Sequence, residues 1–349
     1  MQKITLKTIA EKVKVSPSTV SRVIRNDRTC YISKSKKQAI LEAVRKLNYA
    51  PNFAARNLAL GKSSNVAFVL CRLCHIGESG PFTFKILENI QETLRREGYS
   101  LSVITIPHDN LNGFREICLS RKLYDGIIFG SGVISEETAD IIKNSEIPKI
   151  VVDDNSPFLE NIPRVITDKE EGITSAISYL KKMGHRKIAF YGHSTSMLEL
   201  FRKAMINNEL SFDKKLDFRF SSGNIYELMF DAYVNATLVL ENLSKFTGVF
   251  CANDFVALGL IQRLTEKKIK VGSEISIIGF DNIEELLNVP EDERFLTTIH
   301  KPREKMGEET AELLLKMMKN GRMRNRAKKL PCRLIIRKST GYCKGGDEK

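Results

Sequence analysis

Seven short apolar runs, VAFVL, LSVITI, GIIFG, KIVVD, KIAFYG, GVFCA and ISIIGF, punctuate the chain from residue 66 onward, and helix-patterned segments such as FKILENIQETLRREG and GITSAISYLKKMG lie between them. Runs of this length without polar alternation are strands buried on both faces, and strand–helix alternation is the rhythm of parallel sheets covered by helices. Such sheets take ligands beyond the carboxyl ends of their strands. With 349 residues and 42% hydrophobic content the chain can bury a substantial core, and its length suits two or three folding units. No stretch approaches the apolar length of a membrane span, and the opening MQKITLKTIAEKV spreads charge where a signal peptide needs an apolar run, so a cytoplasmic protein with no membrane partner is expected.

The charge is unevenly placed. Residues 1–62 hold 14 Lys+Arg against 3 Asp+Glu, a net of +11, while residues 63–349 hold 41 against 39, a net of +2. A basic module on a near-neutral body points to a polyanionic partner, with nucleic acid favoured over membrane if the segment is folded. Its periodicity says that it is. Leu6, Ile9, Ala10 and Val13 keep helical spacing, VKVS breaks it, and Ser16-Pro17 offers a cap and first-turn proline to a second helix carrying Val20, Val23 and Ile24. A third helix is predicted from near Ser33 or Ser35, where SKKQ fits a capping box, with Ile40, Leu41, Val44 and Leu47 on one face.

A helix–turn–helix backed by a third helix is a compact DNA reader whose second helix lies in the major groove. Its exposed face here is SPSTVSR. Pro17 and Ser18 stand at its N-terminal end, and Arg22, a turn further on, can donate two parallel hydrogen bonds to guanine O6 and N7. Ser16, Thr19 and Ser21 suit phosphates. Thr5, just ahead of the first helix, joins this DNA-binding set.

TLKTIAEKVKVSPSTVSRVI followed by LNYAPNFAARNLALGKSSNVAFV resembles the DNA-binding headpiece of the lactose/galactose repressor (LacI/GalR) family. GHRKIAFYG, CANDFVALG, ISIIGFDN, LTTIHKP and LIIRKST follow in the family's order, so the resemblance spans the chain. It implies an α/β protein: an all-α helix–turn–helix headpiece at 1–50, a hinge helix at 51–62, and a two-lobed periplasmic-binding-protein-like body of parallel sheets at 63–349. It also explains why PNFAARNLALGK carries helix formers yet too few apolar positions for a helix stable alone. In the family this segment folds when two subunits press it into the operator's minor groove, so its ordering cost is incurred at the right site. By the resemblance Leu58 is the wedge at the central base step, Ala55 lets the paired helices approach, and Asn52 and Arg56 help hold the DNA.

Three crossovers join the lobes in this fold, which places lobe 1 at about 63–161 and 292–322, and lobe 2 at about 162–291 and 323–345. The resemblance sets the effector site at strand ends: Asp153 closing KIVVD, Asn253 in CANDF and Asp281 in GFDN as partners for sugar hydroxyls, with Phe82 in GPFTF as the aromatic wall. A helix N-cap is the competing role for a strand-end Asp, and Asp281, ahead of NIEELL, could serve both. The family's effector-clamping Arg corresponds to Met197 in MLELF, and a thioether cannot reproduce a guanidinium fork. The family's second-lobe aromatic falls near Ile225. Arg303 in HKPREK has two readings, a positive charge returned to the cleft or a solvated surface residue.

CRLCH at 71–75 satisfies the spacing for haem attachment, and its CxxC is half of a zinc site. No second CxxC completes it, and Cys71 and Cys74 fall where the first core strand runs out, so core and cleft-rim positions are the reading adopted, with no metal and no cofactor. No Walker loop, GxSxG or HExxH is present and the five His are scattered, which leaves no catalytic residues and no enzyme. The expected function is a homodimeric transcription regulator at palindromic operator DNA, a repressor of carbohydrate uptake or catabolism genes under a small effector, a sugar or sugar derivative. The alternatives are a sugar carrier, or a regulator answering to a protein partner.

Overall fold

The computed structural model describes residues 4–24, 27, 29–49, 63–71, 80–106, 111–119, 123–222, 227–321 and 327–343. The hinge segment with Asn52, Ala55, Arg56 and Leu58 lies outside the described residues, as do Cys74 and Ile225. The chain divides into two compact units, Met1–Ser63 and Ser64–Lys349.

Among its described residues the first unit holds three helices, α1 (Leu6–Val13), α2 (Pro17–Ile24) and α3 (Lys34–Lys46). Thr5 caps α1 in a reciprocal capping box with Thr8, and Lys14 ends it with a left-handed backbone (φ 50°) that turns the chain into the second helix. Ser16 Oγ accepts the Thr19 amide at 3.1 Å, which caps α2. Ser33 caps α3; Ser35 is already inside the helix. Ile9, Ala10, Val20, Val23, Ile40 and Ala43 form the core of this unit. Leu41, predicted to face that core, is 38% exposed. One residue from Ile40 is ~100° around a helix, so Ala43, Val44 and Leu47 complete the buried face instead.

The second unit runs β1 (Asn65–Cys71), α4 (Gly80–Arg96), β2 (Ser100–Ile106), α5 (Leu111–Leu119), β3 (Gly126–Phe129), α6 (Glu136–Asn144), β4 (Lys149–Val152), β5 (Arg164–Asp168), α7 (Lys169–Lys182), β6 (Ile188–Gly192), α8 (Thr195–Asn207), β7 (Asp217–Arg219), α9 (Leu228–Asn235), α10 (Thr237–Leu240) and β8 (Gly248–Cys251). It continues with α11 (Asp254–Glu266), β9 (Ser276–Phe280), α12 (Ile283–Leu286), β10 (Thr297–His300), α13 (Arg303–Asn320), β11 (Ala327–Pro331) and β12 (Arg333–Ile335). The strands build two six-stranded sheets, ordered β11-β5-β4-β3-β1-β2 and β12-β10-β9-β8-β6-β7. Every pairing is parallel except β10 with β12.

Each sheet is sandwiched. On β1, Val66, Phe68 and Leu70 pack toward α4 and α13, while Ala67 and Val69 point to the other face with Phe114 and Ile142. In the second sheet Phe190, Phe250 and Ile278 meet α7 and α8, and Tyr191, Cys251 and Ile277 meet α9 and α11. Burial on both faces is what the unbroken apolar runs encode.

The lobe boundaries differ from the expected ones. β5 and β11 pair with each other in the first sheet, Ala327 opposite Arg164 through Pro331 opposite Asp168, and β10 pairs with β9 in the second. The chain therefore crosses between sheets at 168/169, between His300 and Arg303, and between Pro331 and Arg333, the first seven and the others about ten residues beyond the expected point. Each crossover comes after a strand has been completed. Cutting before 164–168 and 297–300 would have divided a strand from the neighbours that satisfy its backbone.

Candidate functional site

Strand ends and the middle crossover bring a charged cluster together between the two sheets. Asp153 follows β4 with φ 60°, and Asp281 follows β9 with φ 113°, both uncommon for residues with a Cβ. Asp153 Oδ2 lies 2.5 Å from Lys301 Nζ, which also stands 3.9 Å from Asp281 Oδ1. Arg303 Nη2 donates to Asp281 Oδ1 at 2.8 Å, and its Nη1 donates to the Asp281 carbonyl at 2.7 Å. Arg303 Cζ is stacked 4.4 Å from the centroid of the Phe82 ring, and Phe82 meets Phe255 edge-on at 6.2 Å. Lys301 and Arg303 are only 7% and 2% exposed, so the solvated-surface reading of Arg303 is excluded. Its Nε is buried without a hydrogen-bond partner.

Burial alone would raise the Asp153 carboxyl, but the cations of Lys301, Lys169 and Arg303 outweigh it and hold the group below the usual carboxylate range. Asp153 is thus an ionised partner of Lys301, and Asp281 shares an ion pair with Arg303.

A second polar layer fixes the turn that carries Asp281. Asp254 Oδ2 accepts the Ile283 amide at 2.7 Å and its Oδ1 accepts Thr298 Oγ1 at 2.6 Å. Arg337 Nη2 donates to Asn282 Oδ1 at 2.7 Å and Nη1 to the Leu296 carbonyl at 2.8 Å. The segments CANDF, GFDN, LTTIH and IIRKST therefore converge on one turn. Complete burial pushes the Asp254 carboxyl up to about 7, against the hydrogen bonds from Thr298 and Ile283 that favour its charged form.

The other expected effector residues stand differently. Asn253 caps α11, its Oδ1 accepting the Val256 amide at 2.9 Å. Asp281 does not cap the helix that follows, because Asp254 takes the Ile283 amide and Asp281 turns to Arg303. Met197, in the third position of α8, is 8% exposed and belongs to the apolar cluster of Phe190, Phe201, Ala252 and Phe280. That position is core, which an unbranched thioether fills well. Lys301, Phe255 and Asp254 were missed in the sequence. Lys301 had a signal, since it precedes a proline at a strand end beside the Arg303 already singled out; Asp254 was masked by its neighbour Asn253.

In the headpiece, Ser16, Pro17 and Ser18 are exposed, and Thr19, Ser21 and Arg22 half-buried. Thr5 and Ser16 both act as caps, and Ser16 Oγ also contacts Ser18 Oγ at 2.7 Å and Thr19 Oγ1 at 2.8 Å. Arg22 Nε donates to Asp27 Oδ2 at 2.9 Å, and Nη2 donates to the Thr29 carbonyl and hydroxyl at 2.8 and 2.7 Å. Hydrogen bonds from Thr29 and Arg22 hold the Asp27 carboxyl down to about 2. Cys71 closes β1. Among the described residues no group of three His, Cys, Asp or Glu is arranged to hold a metal ion, and no helix is long and apolar enough to cross a membrane.

A helix–turn–helix unit followed by a two-sheet α/β body with a polar cluster between its sheets defines a class, DNA-binding regulators with a periplasmic-binding-protein-like body. Residues 5–52 match the model of bacterial regulatory proteins of the lacI family, and residues 177–340 match the periplasmic binding protein-like domain. The HTH-type transcriptional repressor PurR of Vibrio parahaemolyticus is 30% identical over 352 residues, covering 95% of this chain and 97% of that protein. PurR of Mannheimia succiniciproducens is 29% identical, covering 96% and 98%. The solved lac repressor dimer bound to operator and the anti-inducer ONPF has the same fold, with a TM-score of 0.76 at 22% identity over 97% of this chain and 100% of that one. A CelR–cellobiose complex aligns with a TM-score of 0.64 at 21% identity, covering 96% and 99%. The chain belongs to the lacI family, and it is a transcriptional regulator.

Proposed function

We propose that the chain is a homodimeric, cytoplasmic repressor that binds a palindromic operator and controls genes of carbohydrate uptake or catabolism in response to a small polyhydroxylated effector held between its lobes. The observation that carries this reading is the cluster at the strand ends, where Asp153, Asp281, Lys301 and Arg303 present charged donors and acceptors beside the Phe82 ring. Hydroxyl-rich ligands are held by such charge-assisted hydrogen bonds, and their carbon faces by an aromatic wall. The sugar in the CelR–cellobiose complex favours the same ligand class. Phe82, Asp153, Asp281 and Arg303 are the residues assigned to the effector, and Asn253 offers its side-chain amide N–H; Met197 belongs to the apolar core. On the DNA side the assigned residues are Thr5, Ser16, Pro17, Ser18, Thr19, Ser21 and Arg22, with Asn52, Ala55, Arg56 and Leu58 in the hinge.

A thermal-shift screen of sugars, sugar phosphates, polyols and nucleosides tests the effector. A ligand at 100 Kd that binds only the folded state adds ~2.7 kcal/mol of stability, and the same compound is expected to change operator affinity in one direction. The absence of any hit in this screen would remove the polyhydroxylated effector from this reading.

A further inference from the structure

The two lobes hold each other by more than the chain that crosses between them. Arg303 opens α13, a helix whose Met306, Ala311 and Leu314 pack on the first sheet, yet its guanidinium bonds Asp281 at the end of β9 in the second. Lys301 follows β10 of the second sheet, and its ammonium lies 2.5 Å from Asp153 at the end of β4 in the first. The two ion pairs thus run in opposite directions across the same gap. Phe82 of α4, on the first lobe, meets Phe255 of α11 on the second edge-on at 6.2 Å.

We infer that Lys301 and Arg303 are a built-in clasp: they tie the lobes together through the Asp153 and Asp281 carboxylates and the Phe82 face. Buried cations are tolerated only when paired, and each of these two finds its shortest carboxylate contact on the opposite lobe, so parting the lobes would break both and leave Lys301 with only the longer 3.9 Å contact to Asp281. The carboxylates are also aimed. Asp153 at φ 60° and Asp281 at φ 113° hold backbone conformations uncommon in residues with a Cβ, and such conformations persist where the surroundings enforce them. An effector entering this cleft exchanges its own groups for those of Lys301 and Arg303. That consequence rests on the proposed effector site, whereas the clasp itself does not.

Hydrogen–deuterium exchange of the full ligand-free chain tests the clasp, comparing the unaltered protein with the Lys301→Met/Arg303→Met double variant. Peptides from α4 and from the turn after β9 are expected to exchange about tenfold faster in the variant, with β3 and β9 still protected. Unchanged protection at the cleft overturns the clasp, and uniform acceleration that includes β3 and β9 assigns the two cations to general folding instead. A charge-exchanged variant, Lys301→Asp with Asp153→Lys, separates pairing from bulk: recovered cleft protection supports the clasp, and a folded protein with an exchange pattern like the double variant's overturns it. Operator affinity, measured in parallel, bears on the effector reading alone.

Discussion

Arg22 shows how much a single side chain can be prepared before its partner arrives. Its Nε and Nη2 are held by Asp27 and Thr29, and the bonds fix the plane of a group that would otherwise sample many rotamers. On the proposed reading that Arg22 contacts guanine, Arg22→Ala is expected to cost ~1–3 kcal/mol on operator DNA and to flatten preference at one symmetric pair of base positions. Fluorescence titration at fixed salt checks this: equal losses on operator and random DNA would make Arg22 a phosphate contact. Asp254 makes a prediction of a different kind. Its carboxyl is raised from 3.8 to about 7 by burial, so between those pH values the folded chain keeps a proton that the unfolded chain releases. Its contribution to stability is fully present below pH 3.8 and is lost as pH rises through about 7, with a slope approaching ~1.4 kcal/mol per pH unit. His185, His193 and His300, all lowered by burial, bias stability the opposite way near pH 6, so the difference between Asp254→Asn and the unaltered chain is the quantity to measure. Denaturation midpoints that keep a constant difference from pH 4 to about 8 would show that Asp254 does not titrate in this range.

At the scale of elements, the Phe82–Arg303 stack depends on how closely α4 and α13 approach. A Cβ on Gly307 would lie 2.4 Å from the Ile86 carbonyl and 2.8 Å from Asn89 Cβ, so only glycine lets the helices cross there. Arg303 and Phe82 each lie one turn before that crossing on their own helices. Gly307→Ala is expected to cost ~1–3 kcal/mol through overpacking and to weaken cleft binding as the helices part; calorimetry and ligand titration on one preparation read both, and an unchanged Tm would mean the helices adjust freely. The sequence made the elements themselves legible, because runs such as GIIF and ISIIGF have no reading other than strands buried on two faces. The sheet each strand joins was not legible. KIVVD and RVITD are alike in length and apolar content, and what assigns RVITD to the first lobe is its pairing with β4 and with AKKLP, some 160 residues later. The site was half visible for the same reason. Asp153, Asp281 and Phe82 could be placed at strand ends and cleft walls, but the pairing of Lys301 with Asp153 joins residues 148 apart, and no local pattern carries that.

At the scale of the whole molecule, charge and core are divided between two units that do different work. Net charge of +11 sits in residues 1–62, while the body, at +2, carries two buried sheets and a cleft cluster in which cations and carboxylates balance. Salt should therefore act on the first unit and ligand on the second. If a dimer neutralises ~6–10 phosphates, log K for the operator falls with log salt at a slope of about −5 to −9, a loss of ~10³–10⁵ in affinity between 50 and 200 mM. Gly307→Ala and Asp254→Asn alter packing and protonation in the body, and neither removes a cation from the headpiece. Both are expected to leave that slope unchanged while shifting the response of operator affinity to the proposed effector by ~1–2 kcal/mol, because they act on the lobes between which that effector would bind. Anisotropy titrations at four or more salt concentrations measure the slope. A slope shallower than about −2 in the unaltered protein would mean the basic excess of residues 1–62 does not meet DNA phosphates, and a slope that changes with the body variants would mean the two units do not divide the labour in this way.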